Sequence, residues 1–325
     1  MNQASPQHEL LTRNPGNPVL VAEQWPHTVN AVLNPGAVRL KDGTTLLLCR
    51  VEDRRGISSL WAARSHNGID NWVIDPEPTF PPDPVDHPDE VWGVEDARIV
   101  WLEELSQFAI TYTAFSQAGP AVALALTPDF VQFQRLGVVM APEDKDSALV
   151  PYRINGHWLM IHRPQTGLGG SMWLAESPDL RHWGRHRLLM TPRRGAWWDA
   201  NRIGLSSPLI ETPEGWLMVY HGTRQTAAGT LYRLGIALLD RKDPSLCLMR
   251  GDEWIMGPKE DYERSGDVSD VVFSCGQTIG DDGDTINLYY GAADTCIALA
   301  TGRISELMQW LKGHSSSPSE PDAAV

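Results

Sequence analysis

Short apolar runs bounded by turn residues recur along the whole chain. A turn followed by an apolar strand with a polar end occurs five times, in DGTTLLLCR, LSQFAITYT, NGHWLMIHR, EGWLMVYHG and DTINLYYG. Before each of them a polar residue opens another short apolar strand, in NPGAVRL, EDARIVWL, DSALVPY, SSPLIET and DVVFSCG. The copies are spaced by about 60 residues, which is typical of a fold built from one repeated unit.

This pattern predicts an all-β fold, and five copies of a several-stranded unit predict a five-bladed β-propeller. Helical periodicity is rare, and ISELMQWLKG is the best helix candidate. A β-sandwich is the main alternative, but sandwiches rarely repeat a sequence phrase at a fixed period. We expect one propeller domain over residues 1–312 and a disordered Ser/Pro-rich tail over residues 313–325.

Composition and charge narrow the range of partners and cofactors that this protein could have. The formal net charge of −14 argues against a nucleic-acid partner, although a basic pocket can sit inside an acidic protein. Four scattered cysteines predict buried free thiols, and ten histidines without HxH or HExxH spacing predict no metal site. Neither a signal peptide nor a transmembrane-length run is evident, so we expect a cytoplasmic protein without a membrane partner.

A propeller would bring the polar strand starts together. The first strand of each blade lines the central channel, and its polar end lies at one mouth of that channel. The second strands run back to the same face with their own polar ends. The converging residues are Asn34, Asp96, Lys145/Asp146, Ser206/Ser207 and Asp270 from the first strands, with Arg50, Arg163 and His221 from the second.

Two adjacent carboxylates mark the start of the second repeat. Glu95 and Asp96 are neighbours in a strand, so alternation predicts that only one faces the channel. The other would pair locally, with Arg98 or with a neighbouring blade. A structural ion pair between blades is the alternative interpretation of EDAR.

Four cations fall at matching positions of neighbouring repeats: Lys145, Arg163, Arg202 and His221. Guanidinium and lysine donors are suited to an oxyanion, and without a glycine-rich nucleotide loop the anion would be free phosphate, a carboxylate or sulfate. One acid opposite a cationic pocket suggests cleavage of a glycosidic bond. An inverting hydrolase needs a second carboxylate to activate water, whereas a phosphorylase needs a pocket that holds phosphate.

At these residues the sequence resembles glycoside hydrolase family 130, the inverting β-mannoside phosphorylases. The resemblance covers most of the chain, and its landmarks are GVEDARI, KDSALVPYRINGHWLMIHRP, NRIGLSSPLIETPEGWLMVYHG, YRLGIALLDRKDP, DVVFSCG and YYGAADT. It implies a five-bladed propeller that cleaves a β-mannoside with inorganic phosphate and gives α-mannose 1-phosphate. Phosphate would be a co-substrate, and no other cofactor is implied.

The resemblance also implies residue roles. Asp96 matches the catalytic acid, which acts through a hydroxyl of the mannosyl unit. Phosphate would be held at Lys145, Arg163, Arg202 and His221, with Tyr232 nearby. The implied sugar contacts are Asp294, Asn34 and Arg50. From their places beside Asp96, Glu95 and Arg98 are expected to position the acid or to line the sugar subsite.

One departure and two alternatives remain. The family often has lysine where this chain has Arg202, which keeps the charge but changes its geometry. Hydrolases of the family have lost the basic pocket, and this chain retains it, so phosphorolysis is favoured over an inverting β-mannosidase or a non-catalytic carbohydrate-binding propeller.

The linkage (β-1,4 or β-1,2), the acceptor sugar and the oligomeric state, a homo-oligomer included, stay open. The loops 75–91 and 191–200 are expected to decide acceptor choice, and Trp197 and Trp198 either stack on the acceptor or pack internally.

Overall fold

The computed structural model describes residues 9–166, 169–227 and 229–316. Strands dominate, and the two α-helices in this part of the chain are α1 (Asp261–Arg264) and α2 (Ile304–Gly313). Three 3-10 turns lie at Ala22–Gln24, Pro88–Glu90 and Glu103–Leu105. The strands are β1 (Thr12–Arg13), β2 (Ala31–Arg39), β3 (Thr45–Glu52), β4 (Ser58–Ser65), β5 (Val73–Ile74), β6 (Val94–Leu102), β7 (Gln107–Ser116), β8 (Gly119–Thr127), β9 (Gln134–Met140), β10 (Asp144–Leu149), β11 (Trp158–Thr166), β12 (Gly169–Gly170), β13 (Met172–Ser177), β14 (Gly184–Met190), β15 (Arg202–Leu205), β16 (Ile210–Thr212), β17 (Gly215–Thr226), β18 (Gly229–Leu239), β19 (Cys247–Gly251), β20 (Val272–Ile279), β21 (Thr285–Ala292), β22 (Cys296–Arg303) and β23 (Ser315–Ser316).

These strands form antiparallel sheets that follow chain order. The first sheet is β2-β3-β4-β5 and the second is β6-β7-β8-β9. The third has 11 strands in two antiparallel runs, one from β10 to β14 and one from β15 to β19. β12 joins the runs by pairing with β11 and, in parallel, with β15. The last sheet is β20-β21-β22, and β1 from the start of the chain completes its outer edge.

Apolar layers between sheets provide the core. Leu48 and Ile110 belong to a buried cluster between the first and second sheets. Further clusters lie between the following runs, and one that contains Leu47 and Tyr289 joins the last sheet to the first. Each fully buried aliphatic side chain stabilises the fold by about 1.5–3 kcal/mol. The inter-sheet contacts therefore close on themselves, with the first strand of each run innermost.

A buried ion pair ties the start of the chain into this arrangement. Arg13 of β1 donates from Nε to Glu263 Oε1 at 2.7 Å and from Nη2 to Oε2 at 2.9 Å. Tyr290 of β21 donates its hydroxyl to the same carboxylate at 2.7 Å. Because Glu263 is fully buried, losing Arg13 would leave its carboxylate without a cationic partner. The pair therefore fixes β1 at the edge of the last sheet.

The sequence predictions compare well with these elements. The all-β class is confirmed, and so is the helix at Ile304–Gly313. Order continues beyond the expected boundary at residue 312, since Ser315–Ser316 pairs with Arg250 and Gly251 of β19. The rest of the predicted tail, residues 317–325, lies outside the described residues. All four cysteines are free, and Cys247 alone among them is partly exposed.

Candidate active site

The innermost strands of three sheet runs carry the same irregularity at a polar residue. Asn34, Asp96 and Asp146 have φ values of 44°, 52° and 53°, and the strand register shifts at each of them. This left-handed backbone is disfavoured for most residues but tolerated by Asn and Asp, and such bulges re-aim side chains. Asn34 Nδ2 donates to Asp96 Oδ1 at 3.0 Å. The bulges thus bring polar groups of different sheets together.

The bulge at Asp96 corrects one step of the sequence interpretation. Arg50 donates from Nη2 to Glu95 Oε1 at 3.1 Å and from Nη1 to Asp96 Oδ1 at 3.3 Å. Both carboxylates therefore reach the same guanidinium, so Glu95 and Asp96 do not point to opposite faces as strand alternation predicted. The positive φ of Asp96 interrupts strand alternation. Glu95 also accepts a hydrogen bond from Lys145 Nζ at 3.1 Å, so it pairs with neighbouring sheets and not with Arg98.

Asp96 is nearly inaccessible and surrounded by positive charge. Burial favours its neutral form, but the charges of Arg50, Lys145 and Arg98 and the hydrogen bond from Asn34 outweigh burial and lower its pKa. In the ligand-free site Asp96 is therefore a carboxylate. It must gain a proton before it can act as an acid.

Arg98 lies behind this pair, 1% exposed. Its guanidinium donates to the backbone carbonyl oxygens of Asp96, Leu205 and Ser206 at 2.8–3.0 Å and to Asp146 Oδ1 at 3.3 Å. These contacts tie β6 to β10 and to the end of β15. Arg98 therefore fixes the backbone at Asp96, and its contacts give no support to a direct sugar contact.

The four predicted cations come together in the 11-stranded sheet. Lys145 is directly opposite Arg163 in the β10–β11 pair, and His221 is opposite Gly204 in the β15–β17 pair. A Cβ atom at Gly170 would lie 2.8 Å from Arg202 Cγ and 2.9 Å from Arg163 Cδ. The two arginine stems therefore pass the same glycine, and only a residue without a side chain allows them to approach so closely.

Asp146 anchors this cluster, a role that the sequence did not assign to it. Its Oδ2 accepts from Arg163 Nε at 2.6 Å and lies 3.3 Å from His221 Nε2, while Oδ1 accepts from Arg98. Burial opposes its ionisation, but Arg163, His221 and Arg98 hold the pKa of Asp146 well below its usual range. The signal available in the sequence was that Asp146 has the same place in its repeat as Asn34 and Asp96 have in theirs.

Two buried nitrogens of the cluster have no hydrogen-bond partner among the described residues: Arg163 Nη1 and His221 Nδ1. Burial lowers the pKa of His221 despite the nearby Asp146, so its ring is neutral at neutral pH. With Nε2 donating to the carboxylate, Nδ1 is an acceptor. Arg202 Nη2 donates to the Tyr232 hydroxyl at 2.6 Å, which places the predicted fifth residue at the cluster.

Asp294 lies near Asp96 and Arg50, in the turn that follows β21, with φ 51°. Burial and the negative charge of Asp96 raise its pKa to about 6, although Arg50 opposes this. Asn34, Arg50, Asp96 and Asp294 thus form a polar group distinct from the cation cluster. Its carboxylates and amide are suited to binding the hydroxyls of a sugar.

The loop residues Trp197 and Trp198 have different surroundings. Trp198 is 6% exposed, stacks on Tyr220 at 5.5 Å and donates from Nε1 to the Asp252 carbonyl oxygen at 3.1 Å. Trp198 therefore packs internally. Trp197 is 42% exposed, and the Arg193 guanidinium lies 4.3 Å from its ring.

Across residues 9–166, 169–227 and 229–316, no three His, Cys, Asp or Glu side chains are grouped as metal ligands. No helix in those same ranges is long and apolar enough to cross a membrane.

Comparison with known proteins places the chain in a family. The family model of Glyco_hydro_130, described as β-1,4-mannooligosaccharide phosphorylase, matches residues 5–313. The chain belongs to glycoside hydrolase family 130. It is 32% identical over 316 residues to the β-1,4-mannooligosaccharide phosphorylase of Ruminococcus albus, which covers 95% of this chain and 92% of that one. The resemblance inferred from the motifs is confirmed, and the chain is an enzyme of this family.

Other family 130 proteins extend the comparison. The β-1,2-mannobiose phosphorylase of Listeria innocua is 38% identical over 258 residues, covering 79% of this chain and 69% of that one. The structure of β-1,2-mannobiose phosphorylase from Listeria innocua with β-1,2-mannobiose has a TM-score of 0.85 at 30% identity, covering 94% and 99% of the two chains. Another structure, described as showing that the family contains hydrolases that target β-1,2 mannosidic linkages in Candida mannan, has a TM-score of 0.78 at 26% identity and covers 100% and 98% of the chains.

The pKa of Asp294 predicts a pH-dependent stability. A carboxyl with an ordinary value of 3.8 that is raised to about 6 binds its proton more tightly in the folded state. Its stabilising contribution is complete below the unfolded pKa and is lost as the pH rises through about 6. Asp294→Asn should therefore match the wild type near pH 4 and exceed its unfolding free energy at pH 7.5, by at most about 3 kcal/mol. Denaturant unfolding at both pH values measures this, and an equal difference at both would contradict the raised pKa.

Proposed function

We propose that this enzyme is an inverting β-mannoside phosphorylase. It would cleave a β-mannoside with inorganic phosphate and release α-mannose 1-phosphate and a shortened saccharide. The observation that carries the proposal is the cluster of Lys145, Arg163, Arg202 and His221, of which Arg163 and His221 are buried, close to the buried carboxylates of Glu95 and Asp96. Lys145, Arg163 and Arg202 are charged donors of the kind that phosphate needs, and phosphate is already a nucleophile.

We infer that the sheets are the blades of a five-bladed propeller, in which residues 9–316 form one catalytic unit. The 11-stranded sheet would count as two blades joined by β12. Innermost strands contact one another in the order β2, β6, β10 and β15, and β20 contacts β18 and β2. This ring agrees with the five apolar layers, and β1 closes the last blade from the other end of the chain. The site would then occupy one mouth of the central channel.

The proposed reaction breaks the glycosidic bond, forms one bond from phosphate to the anomeric carbon and transfers one proton. A phosphate oxygen forms a bond to the anomeric carbon as the bond to the leaving oxygen breaks. The leaving oxygen takes a proton that Asp96 supplies, in the family's manner through a hydroxyl of the mannosyl unit. Asn34, Arg50 and Asp294 would hold that unit, and Glu95 would fix Arg50 and Lys145.

Phosphorolysis is favoured over hydrolysis by the partners of Glu95. An inverting hydrolase needs a second carboxylate that is free to activate water. Glu95 is next to Asp96 in the sequence, but both of its oxygens accept hydrogen bonds from cations, from Arg50 and Lys145. The four basic positions that the hydrolases of the family have lost are retained in this chain.

The substrate is proposed only as a β-mannoside. The relatives are named for β-1,4-mannooligosaccharides, β-1,2-mannobiose and 4-O-β-mannosyl-glucose, and they share similar identity with this chain. We propose phosphate as a co-substrate and no other cofactor. We propose a cytoplasmic location, without a nucleic-acid or membrane partner.

A requirement for phosphate is the first test. Purified enzyme with mannobiose should release α-mannose 1-phosphate in phosphate buffer and show negligible cleavage without phosphate. Chromatography separates α-mannose 1-phosphate from free mannose. Equal cleavage in phosphate-free buffer, with free mannose as the product, would establish the hydrolase instead.

Replacing the acid separates an enzyme from a binding module. Asp96→Asn keeps the size of the side chain but removes the proton donor, so turnover should fall by a factor on the order of 10² to 10⁴. Circular dichroism and saccharide binding by calorimetry should remain close to those of the wild type. An unchanged rate would exclude Asp96 as the acid, and a wild type that binds sugar but never turns over would favour the binding module.

Replacing one cation tests the phosphate pocket. Arg163→Ala removes a buried charged donor, so the KM for phosphate should rise about tenfold or more, with a much smaller change in the KM for the mannoside. Arg55→Ala is the matched control, since Arg55 is exposed and pairs with Asp53 in its own turn. An equal rise in both KM values would place Arg163 outside the phosphate pocket.

A further inference from the structure

Two of the 13 tryptophans are exposed, and all 13 lie in the described ranges. Trp92 is 45% exposed and Trp197 is 42% exposed. The others contribute to packing to differing degrees. A large aromatic left open to solvent needs an explanation when it lies beside a catalytic residue, because burial would otherwise stabilise the fold.

Trp92 lies beside the acid both in sequence and through contacts. It is separated by only a few residues from Asp96 on β6. Its ring contacts Phe115 edge-on at 5.4 Å, and Lys145 Nζ lies 6.0 Å from the Phe115 ring. Lys145 in turn binds Glu95. A continuous series of contacts therefore connects Trp92 to the site.

The backbone around Trp92 is held rigidly. Trp92 N donates to the Phe115 carbonyl oxygen at 2.9 Å, and Phe115 N donates to that of Gly93 at 3.1 Å. Just before it, the carboxylate of Glu90 is buried and accepts from the Tyr112 hydroxyl at 2.7 Å. An exposed side chain on a fixed backbone needs little ordering when a ligand binds.

The positions of the phosphate residues and of the acid indicate which substrate group would contact the Trp92 ring. Of the four residues that would hold phosphate, all on the 11-stranded sheet, Lys145 turns its Nζ to Glu95 on the acid's own strand. Arg163 and His221 contact Asp146 instead, and Arg202 binds Tyr232. Trp92 lies in the turn directly before β6, the strand that carries the acid. Inversion requires the nucleophile and the leaving group on opposite sides of the anomeric carbon. The group on the acid's side, away from Arg163, Arg202 and His221, is the leaving saccharide, whose apolar ring face suits an indole.

We propose that Trp92 is the stacking platform for the leaving saccharide and thereby sets which acceptors the enzyme uses. The proposal rests on the proposed phosphorylase function. It assigns acceptor binding to the loop 75–91 side of the site, and not to Trp197, whose ring is next to Arg193.

Synthesis from α-mannose 1-phosphate tests this assignment, with phosphate release measured against glucose, mannose, N-acetylglucosamine and mannobiose. Trp92→Ala should raise the KM of the best acceptor about tenfold, as expected for loss of one aromatic contact. The KM for α-mannose 1-phosphate should stay within about twofold, since that substrate lacks the leaving saccharide. Trp92→Phe should restore part of the acceptor affinity, and Trp197→Ala should leave it unchanged.

Three results would overturn the assignment. They are an unchanged acceptor KM in Trp92→Ala, an equal rise in KM for both substrates, and a loss of acceptor affinity in Trp197→Ala instead. Tryptophan fluorescence during titration with mannobiose provides a readout without turnover, and a response lost in Trp92→Phe supports the platform. If the wild type releases no phosphate with any acceptor, the proposed function fails, while the fluorescence titration still decides whether Trp92 binds saccharide.

Discussion

The site depends on the ion pairs that the buried carboxylate of Asp146 makes. It receives Arg163 and Arg98 and lies beside His221, and all four groups are almost completely removed from water. Cations in such a place need a counter-charge, and removing one partner of a buried pair costs about 3–5 kcal/mol. One carboxylate between two guanidinium groups still leaves an excess of positive charge. The same interaction therefore holds the cations in place and leaves them able to bind an anion.

Backbone geometry makes this arrangement possible. A regular strand would point successive side chains to opposite faces, so that no inner strand could present two adjacent polar groups to one partner. The positive φ at Asn34, Asp96 and Asp146 removes that restriction in three sheets at equivalent points. Asn and Asp are the residues that tolerate this backbone best, so the same side chains satisfy both the local conformation and the chemistry.

Much of this was predictable from the sequence, for physical reasons. Turn residues at a regular spacing define the strands, and Lys145, Arg163, Arg202 and His221 could be matched because the repeated phrases align them, although Arg163 and His221 lie inside β11 and β17. The positions of Glu95 and Arg98 could not be predicted. A bulge depends on pairing with a partner strand, which local alternation does not reveal. The anchoring role of Asp146 likewise depends on contacts between residues far apart in the chain, and Gly170 and Gly204 show their importance only through the side chains packed against them.

The charges around Asp96 suggest how the two substrates are coupled. Nearby cations lower the pKa of Asp96, so the free enzyme holds a carboxylate where a proton donor is needed. A bound phosphate would offset the charge of Lys145 and its neighbours, and a saccharide in the site would exclude water. Both changes favour the protonated acid. Binding free energies are reciprocal, so protonation of Asp96 must in turn strengthen phosphate binding. Under the proposed function, the cation cluster would then serve two purposes, because it would hold the phosphate and keep Asp96 ionised until phosphate is bound.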